Sequence, residues 1–430
     1  MNISEIKNKY LTQSAFAKNS AILFVGVMIT SVFNYVFHLV IGRAVSVEIY
    51  GEAEALISLI AIISVPSATL AMVATKYIAA CKVHDDKIGS YEILKYLNKK
   101  VLKYGLPLLL LVGVFTPIIG KYLNIDNNFA LMLIWLSMFL SFFGAVNTGV
   151  LRGWQKFKDV SYSGVWGAVA KFIFGIILVK IGFALNGIVG SFVLGALATY
   201  IFTIFALRFI LVQKESHIDE YCENKIDLNA LKKYMIPVFV GNLAIAILGN
   251  VDMILAKHSL DAIEAGQYGA LTVVSKIIFF ATGIMASVLF SMSAENSHKG
   301  DSSRGILKIA LALVLLASLV ATFIYFAYPA FILNMLFGSK YQSVSSYLGW
   351  FAIAVTLFSL SNVIFQYLLS IHKTKISYAL MAVAILLIVA IMLYGTSISA
   401  ILTILIISQI AAIIVGSFYL FKGKINRKTI

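Results

Sequence analysis

Two lysines and one aspartate lie inside apolar runs of this sequence, and they are the residues whose chemistry most needs an explanation. Lys171 sits near the middle of the run 160–181, and Lys276 about a third of the way along 268–292. An ammonium held at mid-bilayer costs ~2.5 to 3.5 kcal/mol on insertion scales, so each lysine must face a wet interior or a partner rather than lipid. Asp252, close to the outer end of 234–255, is the only clear intramembrane carboxylate. Two arrangements fit. Lys171 and Lys276 line a cationic cavity that attracts a diphosphate headgroup, or Lys276 pairs with Asp252 as a structural bridge while Lys171 snorkels. Further candidates for substrate contact are Arg43, Lys76 and Arg152 at run ends, where anchoring competes. Asn34, His38, Asn242 and Asn250 lie within runs, where interhelical hydrogen bonding is the competing role.

Enzyme signatures are missing. The histidines (His38, His84, His217, His258, His298, His372) are scattered, and there is no His-Glu-x-x-His, no Cys-x-x-Cys and no Gly-x-x-x-x-Gly-Lys-Ser/Thr loop. The expected catalytic set, metal set and cofactor are therefore none, with H+ or Na+ coupling left open. The outer loops are short, which leaves no room for an extracytoplasmic active site. Cys81 and Cys222 both fall in segments expected on the cytoplasmic side, where no disulfide is indicated.

Positioning these residues requires a membrane fold. Hydrophobic residues make up 60% of the 430 positions and charged residues 12%, and mean hydropathy is +0.93, a composition that excludes a soluble globule. A span needs about 20 apolar residues. Twelve runs qualify: 20–41, 53–74, 101–119, 129–151, 160–181, 184–207, 234–255, 268–292, 306–327, 347–369, 378–394 and 399–420. Net charge is +15, yet the basic residues cluster in short gaps between runs, where they read as orientation signals and lipid contacts rather than a nucleic-acid surface. Placing both termini in the cytoplasm leaves only Arg43, Lys121, Lys180, Lys257 and Lys340 outside, so a multi-pass plasma-membrane protein with that orientation is expected.

Half a chain length separates several matches. Phe24-Val25-Gly26 recurs as Phe239-Val240-Gly241, Gly51 as Gly266, and Ala55-Leu56 as Ala270-Leu271, each 215 residues on. The expected architecture is an all-α membrane protein of about 12 transmembrane helices in two six-helix lobes related by a pseudo-twofold repeat. Residues 1–212 form the first lobe, 213–233 a cytoplasmic linker and 234–430 the second. Three local features complete this reading. Leu94, Leu97, Val101 and Tyr104 share a helical stripe opposite Lys95, Lys99, Lys100 and Lys103, predicting a basic interfacial helix over 91–104. Gly149-x-x-x-Gly153 permits close helix contact, and Asp227 could cap the seventh span. Pro66, Pro107 and Pro237 mark candidate bends.

Four stretches resemble the polysaccharide flippase family of the multidrug/oligosaccharidyl-lipid/polysaccharide exporter superfamily. They are Ile41-Gly42-Arg43 through Tyr50-Gly51 and Ala55-Leu56; Gly149-Val150-Leu151-Arg152-Gly153-Trp154-Gln155-Lys156-Phe157; Gly182-Phe183-Ala184-Leu185-Asn186-Gly187; and Val251-Asp252 with Ala265-Gly266-Gln267-Tyr268 and Lys276-Ile277-Ile278-Phe279. The resemblance implies a central cavity and alternating access that carries a polyprenyl-diphosphate-linked oligosaccharide from the cytoplasmic to the outer leaflet. Lys171 and Lys276 are the positions that could supply the family's cationic cavity. Implied partners are the prenyl-linked glycan, membrane lipids and glycan-assembly enzymes. A cation-coupled multidrug exporter of the same superfamily and a peptidoglycan lipid-precursor flippase remain the alternatives.

Overall fold

The computed structural model describes residues 3–211, 228–298, 304–371 and 373–421, with side chains from 22, from 235 to 283, and throughout the last two stretches. The expected linker 213–233 and the Asp227 cap lie largely outside these residues. Every described element is a helix. In the first half α1 (Ile3–Ala44) runs without interruption into a short corner. There Ser46 accepts the Ile49 N–H at 3.4 Å and starts α2 (Val47–Ile63). Ser64 closes α2, and α3 (Val65–Val83) follows at once, so the expected span 53–74 is two helices that begin well before Ala53. Asp86 caps α4 (Lys87–Lys100) by accepting the Gly89 N–H at 2.7 Å. A π-helical turn, Val101–Gly105, joins α4 to α5 (Leu106–Tyr122). Then come α6 (Asn128–Gly153), α7 (Phe157–Lys180), α8 (Ala184–Ala206) and the short α9 (Arg208–Leu211).

The second half holds α10 (Leu228–Leu248), α11 (Val251–Ser259), α12 (Ala262–His298), α13 (Arg304–Ala327) and α14 (Pro329–Phe337). A 3-10 segment over Ser339–Tyr347 leads to α15 (Leu348–Ser370), α16 (Ile376–Tyr394) and α17 (Ile398–Phe421). Among the described residues ten helices are long and apolar enough to cross a membrane, eleven when the bent pair α10–α11 is taken as one span. The expected eighth span lies on α12, whose side chains are described only as far as residue 283. The chain is an all-α, multi-pass membrane protein.

Two compact units result. The first comprises Met1–Ile41, Pro66–Ile119 and Asn127–Asp227, the second Gly42–Val65, Gly120–Asp126 and Leu228–Ile430. In the first unit α6 crosses α3 through the Gly149/Gly153 pair: a Cβ on Gly149 would come within 2.5 Å of the Ala71 carbonyl oxygen, and one on Gly153 within 2.6 Å of the Ile78 Cβ. The pattern read from the sequence is thus a close helix contact, and the Thr75 hydroxyl adds a 3.1 Å hydrogen bond to the Gly149 carbonyl.

In the second unit α2 lies on α12, and here the repeat becomes visible. The two helices begin at Val47 and Ala262, 215 residues apart, and their preceding residues Ser46 and Asp261 both accept an N–H three residues on, Asp261 from Glu264 at 2.7 Å. Gly51 and Gly266, paired by the repeat, touch each other. A Cβ on Gly51 would sit 2.7 Å from the Gly266 nitrogen, and one on Gly266 would collide with the Val47 carbonyl oxygen. Residues matched by an internal repeat meet in this way where a local two-fold axis passes between them. Ala55, Leu56, Ala270 and Leu271 are all fully buried beside this crossing.

Candidate functional site

Lys276 projects from α12 and is half-buried. Its ammonium donates a 3.0 Å hydrogen bond to Oδ1 of Asn250. Asn250 stands in the break between α10 and α11, where φ of −144° takes the chain off the helical path and the two helices bend by 43°. A broken helix leaves backbone carbonyls without intrahelical partners, and inside a membrane these must be satisfied. Asn250 donates its Nδ2 to the Ala246 carbonyl at 2.9 Å, and Gln409 from α17 donates to the Leu248 carbonyl at 3.0 Å. Asn250 therefore stabilises the break with its amide nitrogen and holds Lys276 with its amide oxygen.

Asp252 follows in the first turn of α11 and is 3% exposed. Its Oδ2 accepts the Tyr268 hydroxyl at 2.8 Å, while its Oδ1 is buried with no hydrogen-bond partner. The Lys276–Asp252 bridge weighed from the sequence is thus not a hydrogen-bonded pair: each group takes a neutral partner, Asn250 and Tyr268. Electrostatically they still feel one another, since the carboxylates of Asp252 and Glu54 both act on the Lys276 charge.

Lys171, on α7, is 9% exposed and has a different setting. Its ammonium lies 4.7 Å from the centroid of the Phe37 ring on α1 and 4.5 Å from that of Phe192 on α8, and the two rings meet edge to face at 5.8 Å. Desolvated cation–π contacts of this kind contribute ~2 kcal/mol each. The side chain does not snorkel. Its flank is close-packed, because a Cβ on Gly195 would come within 3.0 Å of the Lys171 Cβ.

The remaining candidates divide. Asn250, Asp252 and Lys276 come together in the second unit, while Asn242 is half-buried about two turns earlier on α10. Asn34 and His38 are half-buried on α1 in the first unit, with the His38 ring edge-on to Phe37 at 5.8 Å. Arg152 is exposed at the end of α6, whereas Lys76, expected at a run end, is exposed within α3, which continues about two turns further to Val83. Arg43 serves the fold: its Nε donates to the Leu336 carbonyl at 3.0 Å and its Nη2 to that of Met335, both in the last turn of α14. Lys340 acts in the opposite direction, donating to the carbonyls of Arg43 at 3.1 Å and Val45 at 2.9 Å, so each cation caps the helix end beside the other.

Three residues escape a reading of the sequence. Glu54 is 5% exposed, two turns into α2, with its side chain against Gly269 of α12. An apolar run counted from Ala53 hides its depth, and the expectation that Asp252 is the only clear intramembrane carboxylate is overturned by it. The signal available is Ser46 followed by Glu48, which marks a helix start at Val47. Lys257, assigned to an outer loop, is 3% exposed on α11 and acts on the charge of Glu52. Tyr268, the hydroxyl partner of Asp252, has only its place in the resembling stretch to commend it.

Comparison with known proteins follows the same lines. The family described as "Polysaccharide biosynthesis protein" matches residues 16–290. No curated protein matches significantly. The fold is similar to that of an inward-facing multidrug resistance MATE family transporter of the MOP superfamily, with a TM-score of 0.70 at 14% identity over 94% of this chain and 98% of that one. An outward-facing MATE family transporter of the same superfamily gives 0.58 at 15% identity, with 95% of each chain covered. A MATE in the bent conformation gives 0.62 at 13% identity, again over 95% of each.

Proposed function

Because the chain belongs to the polysaccharide biosynthesis protein family, and is a membrane transporter with the fold of the MOP superfamily, we propose that it moves a polyprenyl-diphosphate-linked oligosaccharide from the cytoplasmic to the outer leaflet of the plasma membrane. Transport proceeds by alternating access, with the termini cytoplasmic and the prenyl tail left in lipid. Lys171 and Lys276 hold the diphosphate. The observation that supports this reading is the partner of Lys276: its hydrogen bond goes to a neutral amide oxygen rather than into a salt bridge, even though Asp252 and Glu54 offset part of its charge. Enzymes of glycan assembly supply the cargo. The test is export of the surface glycan by cells carrying Lys171→Ala or Lys276→Ala. Loss of export with each variant still present in the membrane is expected; normal export by both would end the assignment.

A second reading, a cation-coupled exporter of the same superfamily, draws on one feature. Asp252 Oδ1 and Gln409 Oε1 are buried acceptors with no donor, and Glu54 is a buried carboxylate in the first half. Such oxygens suit H+ or Na+. Proteoliposomes resolve this: proton or sodium flux that depends on an added cationic drug, and that Asp252→Asn abolishes, would favour the exporter over the flippase.

A further inference from the structure

The helix α4 carries a charged face that the transport reading leaves unused. Its buried stripe, Ser90, Ile93, Leu94, Leu97 and Val101, packs on the apolar cluster of Ile78, Phe142, Val146, Val150, Leu207 and Ile210 in the first unit. The helix is therefore bound to protein, not to lipid, on its apolar side. Around the helix from that stripe run two rows at i, i+4 spacing, Lys95–Lys99–Lys103 and Tyr96–Lys100–Tyr104.

Helical spacing alone puts Tyr104 in the apolar stripe, and the structure moves it. The π-helical turn Val101–Gly105 advances fewer degrees per residue than an α-helix, so by position 104 the register has slipped and Tyr104 is 60% exposed. It lands beside the lysines. The Lys100 ammonium lies 5.1 Å from the Tyr96 centroid and 5.8 Å from that of Tyr104, and Lys103 lies 5.8 Å from Tyr104. Lys95, Lys99, Lys103, Tyr96 and Tyr104 are all exposed.

Two further facts identify what this face meets. Glu92 is the one acidic residue on α4, and none follows it until Asp126, so Lys95, Lys99, Lys100 and Lys103 leave this stretch with a clear positive excess. Immediately after the π-turn, α5 exposes Leu106, Leu108, Leu110, Leu111, Val114 and Phe115, the last four at 64%, 56%, 76% and 47%. An apolar band of that kind faces acyl chains. Lysines and tyrosines at its edge stand at headgroup level, where amphipathic rings and cations concentrate.

We propose that the exposed face of α4 and its π-turn binds the phosphate headgroups of anionic membrane phospholipids. Lys95, Lys99 and Lys103 take the phosphates as point charges, while Tyr96 and Tyr104 seat at the interface and hold Lys100 between their rings. This goes beyond the transport reading and does not depend on the cargo. The occupant is resident lipid, because the charged rows continue directly into the lipid-facing surface of α5.

The test is native mass spectrometry of the full-length detergent-purified protein titrated with phosphatidylglycerol or phosphatidylcholine. The unaltered protein should retain phosphatidylglycerol preferentially. The triple variant K95Q/K99Q/K103Q should lose that preference, at about fivefold per lysine, while K95R/K99R/K103R keeps it. Removing three exposed lysines elsewhere, as K121Q/K180Q/K308Q, should leave it intact. Equal retention of the two lipids by the unaltered protein overturns the proposal, as does an equal loss in the control variant, which would reduce the effect to net charge. Retention of a polyprenyl diphosphate with none of phosphatidylglycerol also overturns it.

Discussion

Where α1 passes Asn34 without a break, its counterpart half a chain later parts at Gly249 and Asn250 and bends by 43°. The two helices end at equivalent positions, Ala44 and Ser259, yet they treat a nearby lysine differently. The unbroken helix has its backbone groups paired internally and presents the Phe37 ring to Lys171. The broken one exposes carbonyls, recruits amide side chains to satisfy them, and thereby puts an amide oxygen in front of Lys276. The unbroken helix brings a ring to one buried cation, and the broken one brings an amide oxygen to the other.

Methionine at each lysine probes that contrast most forcefully. K171M and K276M should both lower glycan export by about tenfold or more, the cost of about one charged hydrogen bond or phosphate contact. Their thermal stabilities should diverge. A thioether keeps contact with Phe37 and Phe192, so K171M should lose less thermal stability in detergent than K276M, which leaves Asn250 Oδ1 without its donor. Similar shifts for the two would erase the distinction.

Asn250→Ala strikes the break itself. It removes the acceptor of Lys276 and the donor to the Ala246 carbonyl together, and should cost about 2 to 3 kcal/mol in denaturant or thermal unfolding. Tyr268→Phe deprives Asp252 of its Oδ2 donor, for a loss of about 1.5 to 3 kcal/mol, measured the same way. Asn34→Ala lies at the equivalent level of the unbroken helix and should change stability by less than about 0.5 kcal/mol. A large effect there would show that α1 also relies on side-chain amides.

The spans are readable because an apolar composition leaves a chain few other options, and the positions of α6, α7, α8, α13 and α17 follow closely. Register is harder. The slip at Val101–Gly105 has no marker in residue type, so helical spacing assigns Tyr104 to the wrong face. Glu54 is easily passed over because a carboxylate at the edge of an apolar run looks like its end, although the cap at Ser46 has already begun the helix. Lys171 and Lys276 stand out because charge is costly in hydrocarbon, but their partners lie on other helices: Phe37, Phe192 and Asn250 are distant in sequence and nothing in the local pattern pairs them. The grouping of residues 42–65 with the second unit is equally non-local, resting on backbone contact between α2 and α12.

That contact has a mechanical corollary. Side chains normally mesh, and two meshed helices must lift knobs out of holes before they can shift. Gly51 against Gly266 removes the knobs at the centre of the crossing and lets the two backbones touch, while Val47 and Glu54 still seat on Gly266 and Gly269 to either side. Any residue larger than glycine at either position would act as a wedge and force the two helices apart.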